Sequence, residues 1–265
     1  MEIKVAWLYP DILNLHGDRG NMMALAQIAE SMDVTLDICK LDSVKEVPDF
    51  DAFDIIFMGA GQLRDLPVVL EDIKQREEDL KLYVEEGGYL LATGSTGCIL
   101  GKGYTLVDKT KIKGLGIFDM VARELHRTKM PMVTKEVYGD DILFRTYDGV
   151  ELVGCQIQRV DYTLKGNQKP WGNVIYGYGN NTTDGTEGAT YKHAHFTNVI
   201  GPFLSCNPWY GVRMIQTIAR RHGQTVKEPA QLAILDYAKE SLKLKKQFIK
   251  EKTKLSGIQY DEQNM

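Results

Sequence analysis

Residues 87–103 read GGYLLATGSTGCILGKG. A glycine pair ends whatever precedes it, an apolar run follows that suits a buried strand, and a tight turn of small residues leads into a segment able to open a helix. A strand-to-helix turn of this kind lifts one side chain above the end of a sheet, beside free backbone N–H groups, and many enzymes put a nucleophile there. At the summit of this turn the chain carries Gly94.

Upstream of the turn, short apolar runs alternate with helical patterns. IKVAWLY (3–9), VTLDICKL (34–41) and FDIIFMGAGQ (53–62) read as strands. Between the first two, GNMMALAQIAESMD (20–33) has helical spacing, with Met22, Leu25, Ile28 and Met32 on one face. LPVVLEDIKQREEDLKLYVEEGG (66–88) reads as one long helix stopped by Gly87 and Gly88. The order predicts an α/β fold, a parallel sheet covered by helices on both faces, with its site at the C-terminal ends of the strands.

Downstream of Gly101 the pattern changes. GLGIFDMVAREL (114–125), KMPMVTKEVYG (129–139), ILFRTYDGVELVGCQIQRVDYTL (142–164) and NVIYGYGNN (173–181) are β-branched and aromatic stretches cut by Gly, Asp and Asn, which predicts an antiparallel extension of the core. From Glu228 an amphipathic helix is expected, with Pro229 near its first turn and lysines toward its C-terminal half, where they suit the helix dipole. Solvated charge is the plain reading of those lysines, and partner binding the alternative. The organisation expected is one domain over 1–225 and a C-terminal helix and tail over 226–265.

Composition bounds the function. A formal net charge of −4 argues against a general nucleic-acid binder, which needs clustered Lys and Arg. Nowhere do about 18 apolar residues run without a charge, and the N-terminus lacks a signal-peptide core, so a cytoplasmic protein without a transmembrane segment is expected. Cys39, Cys98, Cys155 and Cys206 form no CxxC pair and read as free thiols, with no metal site expected.

Six strings, in this order, carry a resemblance: YPDILNLHGDRGN (9–21), GAGQ (59–62), EEGGYLLAT (85–93), GLGIFD (114–119), VIYGYGNNTTDGTEG (174–188) and NVIGPFL (198–204). The chain resembles the CobB/CobQ-like class I glutamine amidotransferases, and among them the GatD-type subunits of lipid II isoglutaminyl synthase. The resemblance implies a class I amidotransferase (flavodoxin-like) fold. It also implies a glutaminase whose cysteine, paired with a histidine, attacks the glutamine amide, and no cofactor. The released ammonia would pass to a Mur-ligase-like (MurT-type) partner that amidates a cell-wall precursor using ATP. GAGQ, with Gly59, Gly61 and Gln62, would hold the oxyanion and the glutamine, and Arg127 would grip the glutamine α-carboxylate.

The family's nucleophile turn is similar to AxCGGYQLLGK, and its histidine lies in a string like IGTYLHGP. Anchored on Leu100, Gly101 and Lys102, the first string puts its cysteine at Gly94, and the second is read as reaching this chain at or next to Ser205. Glycine offers no nucleophile and serine no base near neutral pH. The resemblance therefore implies an amidotransferase scaffold without glutaminase chemistry.

Two readings restore an activity. Cys98, one helical turn beyond the bend, could be a relocated nucleophile with His195 as base, against a plain role as a buried thiol. Ser95 or Thr96 could raise a hydroxyl at the bend if the register slips. His193 and His195, alternating in one strand, would face the same way, toward a site or toward water. His16 is held as a loop residue near the site, and His126 and His222 carry no signal. A further possibility is a binding module whose emptied pocket takes a different small amide or amino acid. GCQIQRVDYTL (154–164) departs from the family, which has a string like GFENHGG there.

Overall fold

The computed structural model describes residues 1–125, 138–229 and 232–256. The chain runs β1 (Glu2–Leu8), α1 (Arg19–Ser31), β2 (Thr35–Leu41), β3 (Ile55–Met58), α2 (Leu66–Ile73), α3 (Glu77–Glu85) and β4 (Tyr89–Thr93). The bend and a short helix α4 (Gly97–Leu100) follow, then β5 (Gly103–Thr105), β6 (Lys111–Lys113), β7 (Met120–Glu124), β8 (Tyr138–Thr146), β9 (Glu151–Gln158), β10 (Val160–Leu164), β11 (Gly172–Tyr176) and β12 (Thr186–Glu187). β13 (Ala189–Tyr191) and β14 (Ala194–Thr197) rejoin the first sheet, and α5 (Phe203–Cys206), α6 (Pro208–Arg221) and α7 (Ala233–Ser256) end the described chain.

The first sheet has the order β13-β14-β4-β3-β1-β2, parallel except for β13. Alternate residues of its strands feed two cores. Leu8, Met58, Ala92 and Phe196 face α2 and α3, while Val5, Trp7, Phe57 and Leu91 face α1 and α6. The sheet β10-β7-β5-β6 closes the first core through Tyr104, Met120 and Tyr162. A third sheet, β12-β11-β8-β9, packs Ile142, Phe144 and Leu152 into the second. The parallel core and the antiparallel extension both stand as expected.

Two expectations are corrected. Residues 66–88 form two helices, α2 and α3, separated by a 3₁₀ turn at Lys74–Arg76. A single buried face running from Ile73 to Leu80 would need an apolar residue at 76 or 77, and the chain has Arg76 and Glu77. The Arg76 guanidinium instead reaches Val47 O at 2.8 Å. The last helix starts at Ala233, so Pro229 precedes it rather than opening it. Part of its lysine run is tied to the body: Lys245 Nζ lies 2.5 Å from Asp141, and Lys246 pairs with Glu151. Ile249 packs against Leu143 and Val153. Most of KMPMVTKEVYG lies outside the described residues.

A carboxylate pins the turn that leaves β1. Tyr9 has φ +55, a strained value for a side chain of its size. Its hydroxyl donates to Asp72 at 2.9 Å, and Asp72 also accepts from Ser43 Oγ and Val44 N, each at 2.8 Å. Desolvation raises the Asp72 pKa, but these donors outweigh it and leave it below the ordinary 3.8. A depressed carboxylate contributes stability above its unfolded pKa that is lost as pH falls through its folded pKa. In Asp72→Asn, unfolding measured between neutral pH and pH values below 3.8 is expected to lose part of its acid-side slope, at a neutral-pH cost of about 1 kcal/mol.

Candidate functional site

The carboxyl ends of β3 and β4 meet the loop after β1. Gly94 follows β4 with φ +60, the left-handed value that a sharp strand-to-helix bend requires. Three contacts fix the bend. Tyr162 donates its hydroxyl to Gly94 O at 2.9 Å, Thr96 Oγ1 donates to Gly59 O, and Ser95 Oγ donates to Gly61 O at 2.6 Å. Ser95 Oγ also accepts the Gly61 N–H at 2.9 Å, so it closes a two-way bridge between the bend and the GAGQ loop.

Asp18, buried to 1% exposure, anchors the same loop from beneath. It accepts from Thr93 Oγ1 at 3.0 Å and from Ala60 N at 3.2 Å. Burial raises its pKa, with these bonds pulling the other way. A Cβ on Gly59 would run into Leu13 O and lie 2.8 Å from the Asp18 side chain, which is why that position carries none.

Above the bend opens a cavity of about 660 Å³. Gly94 and Ser95 lie at its floor, and Leu15, His16, Ile157 and Ile200 stand among its walls. Ala60, Gly61 and Gln62 also line it, Gln62 being exposed. A Cβ on Gly94 would meet Ala60 Cβ at 2.8 Å and Ile200 Cγ2 at 3.2 Å, so the side chains the fold sets beside residue 94 are those of Ala60 and Ile200. Ser205 is elsewhere. It sits in α5, is absent from the cavity walls, and donates to Gly20 O at 3.2 Å. The sequence reading put the family histidine at or next to Ser205, and that side chain is not among the atoms nearest a Cβ on Gly94. The signal that finds Ile200 is the Gly-Pro pair: IGTYLHGP laid on Gly201 and Pro202 brings its histidine to position 200.

The relocated pair is separated by the sheet. Cys98 is fully buried beside Tyr162, Sγ to hydroxyl 3.6 Å, on the same side as Phe196. Burial pushes its thiol up to about 12, far from a thiolate at neutral pH. His195 neighbours Phe196 on β14 and so points to the opposite side, stacked on Trp171 at 4.7 Å and against Tyr89 at 5.6 Å. Its Nδ1 lies 3.0 Å from Thr190 Oγ1, and burial, helped by His193, depresses its pKa to about 3. His193 sits in the turn before β14, half-buried and stacked on Tyr89 at 5.9 Å, so neither histidine simply faces water. A thiol reagent is expected to modify the exposed Cys155 of the folded protein and leave Cys98 unmodified until denaturant is added, as peptide mass mapping would show.

His16 lines the cavity, and its pKa is lowered by burial against the opposing pull of Asp18. His126 and Arg127 lie outside the described residues. Among the described residues no cluster of three or more His, Cys, Asp or Glu could hold a metal, and no helix is long and apolar enough to cross a membrane.

Sequence reasoning missed a buried polar network behind the cavity. Glu187, fully buried, accepts from Thr197 Oγ1 and Asn198 N, each at 2.7 Å, and from Asn198 Nδ2 at 3.0 Å. Burial raises its pKa against these bonds. Asn198 Nδ2 also reaches Asn180 Oδ1 at 3.0 Å, and Asn180 closes the GYGNNTTDGTEG turn through Gly188 N at 2.9 Å. The asparagines and glycines of that string therefore shape a turn.

The model of the CobB/CobQ-like glutamine amidotransferase domain matches residues 4–204. The chain belongs to this family. It is 30% identical over 239 residues to the lipid II isoglutaminyl synthase (glutamine-hydrolyzing) subunit GatD of Streptococcus pneumoniae, covering 88% of this chain and 87% of that one. It is also 30% identical over 210 residues to the subunit of the same name from Staphylococcus aureus, covering 78% and 80%. Among solved structures, PurLQS from Thermotoga maritima superposes with a TM-score of 0.52 at 10% identity over 83% of this chain and 99% of that one. A glutamine amidotransferase crystal structure gives 0.52 at 13% over 79% and 97%. These two share the fold. In this CobB/CobQ-like domain the bend after β4 carries Gly94 at φ +60, with Ala60 and Ile200 beside it.

Proposed function

We propose that the chain is a GatD-like amidotransferase subunit that has lost glutamine hydrolysis and serves, in the cytoplasm, as the non-catalytic partner of a Mur-ligase-like (MurT-type) enzyme that amidates a cell-wall precursor such as lipid II. The observation that carries this reading is the pairing of Gly94 with Ile200 across an otherwise well-formed bend. Thiol and imidazole act together, one as nucleophile and one as proton carrier, and neither group stands at these two positions. Ser95 adds to it: by taking the Gly61 N–H it occupies a donor that a tetrahedral oxyanion would need. The likeness to two GatD subunits over most of both chains supports the partner assignment. Cys98, buried and outside the cavity wall, gives the active-glutaminase reading no support.

The test is recovery of the native complex followed by amidation with the nitrogen source varied. Co-purification with a Mur-ligase-like protein, and amidation that proceeds on ammonium salts but not on glutamine, is the expected result. Recovery of the chain alone, or amidation driven by glutamine, would overturn the reading.

A further inference from the structure

We infer that Cys155 and Cys206 form a modification site, a thiol pair that a small disulfide of the oxidised-glutathione class converts reversibly into an intramolecular disulfide. Cys155 lies on β9, and Cys206 ends α5. Two anchors bring these elements together. Cys155 O accepts the Ile200 N–H at 2.9 Å, which lays the segment leading into α5 against β9. Just beyond Cys206, Asn207 grips the same strand: its Oδ1 accepts from Val153 N and its Nδ2 donates to Val153 O, each at 2.8 Å. The stretch of chain that carries Cys206 is thus tied to β9 at Cys155 itself and two residues before it.

Both thiols border one ion pair. Lys245 Nζ lies 2.5 Å from Asp141 Oδ1, and Cys155 Sγ lies 4.0 Å from the same oxygen. Lys245, Cys155 and Asp141 are also the groups whose charges act on the Cys206 thiol. The two cysteines differ in access. Cys155 is exposed, while Cys206 is half-buried, its thiol donating to Gly201 O at 3.4 Å. Burial raises the Cys206 pKa, with Lys245 pulling the other way. An exposed thiol backed by a sheltered one suits the order of attack in thiol–disulfide exchange. The Cys155 thiolate attacks one sulfur of the oxidant, forming a mixed disulfide and releasing one small thiol. Cys206, as thiolate, then attacks the Cys155 sulfur and expels the second small thiol, so the two protein protons leave with the two released thiols. Two protein thiols are oxidised and one small disulfide is reduced. The new bond joins α5 to β9 where hydrogen bonds already hold them. In a reducing compartment such a bond is transient and reports oxidant load. Cys98, beneath the bend, and Cys39, on β2 at the edge of the first sheet, take no part. The inference does not rest on the proposed function.

The experiment is exposure of the folded chain to oxidised glutathione at neutral pH, followed by trapping of the remaining thiols and non-reducing peptide mass mapping. The expected product is a single chain in which the Cys155 and Cys206 peptides are linked, with free thiols reduced from four to two and all four restored by reductant. In Cys206→Ser the reaction is expected to stop at a glutathione adduct on Cys155. In Cys155→Ser, glutathione is expected to reach Cys206 at least about tenfold more slowly than it reaches Cys155 in the parent chain. A parent chain that keeps glutathione on Cys155 while Cys206 stays a free thiol would overturn the inference. So would two chains joined through Cys155 as the main product, or a Cys155–Cys206 link that forms only after denaturant is added.

Discussion

A chain carrying Gly94→Cys alone releases no more ammonia from glutamine than the unaltered protein, whereas the triple variant Gly94→Cys, Ser95→Gly, Ile200→His gains measurable glutaminase activity. The thiol needs a base, and position 200 is where the fold sets a side chain against residue 94. Adding the imidazole is worth about 10²- to 10⁴-fold over the thiol alone. Ser95→Gly frees the Gly61 N–H for the oxyanion, a donor whose presence is worth about 10²- to 10³-fold. These factors act as a unit, so the double variants are expected to fall far below the triple. A new Cβ at Gly94, with φ +60 and Ala60 Cβ at 2.8 Å, costs about 1–3 kcal/mol of stability. Glutaminase assays on the set, with unfolding curves to exclude misfolded variants, check the order. Equal activity in the single and triple variants would show that residues 95 and 200 have no part in the site.

Phe196→Ala is expected to lower unfolding stability by about 3–5 kcal/mol, the range for deleting a buried aromatic ring. Phe196 is fully buried on β14, its ring 4.8 Å from that of Tyr162, and a Cβ on Gly97 would lie 2.5 Å from it. Tyr162 in turn holds Gly94 O, so the cavity left by the missing ring loosens the support of the bend as well as the core. Denaturant melts read the first effect. Backbone amide exchange at Gly94–Gly97 reads the second, with faster exchange expected in the variant. An unfolding midpoint equal to that of the parent chain would contradict this account of the packing.

Much of the core is legible because parallel strands buried on both faces read as unbroken apolar runs. Ile55–Met58 and Tyr89–Thr93 are buried at every position, and the sequence shows them as IIFM and YLLAT. The bend is legible too, since small residues between a strand and a helix admit few conformations. The break at 74–76 is less so, because long charged stretches pattern equally well as exposed helix. Three features of the site depend on contacts far apart along the chain. Ser95 meets Gly61, Asn198 meets Asn180 and Glu187, and Ile200 comes to Gly94 only because β14 pairs with β4 in the register Thr197 to Thr93. The alternation of side chains along β14 puts His195 and Phe196 on opposite faces, which separates His195 from Cys98. Two histidines spaced for one strand were read as able to share a face, and both rings pack against Tyr89, although the strand begins at Ala194 and His193 belongs to the turn before it.

The most direct test of the central claim is ammonia release from glutamine by the purified chain, alone and with the proposed Mur-ligase-like partner, beside a Cys98→Ala variant. The account predicts release at the level of a protein-free blank in every mixture. Release that rises with protein concentration and disappears in Cys98→Ala would contradict it and return this scaffold to the working glutaminases.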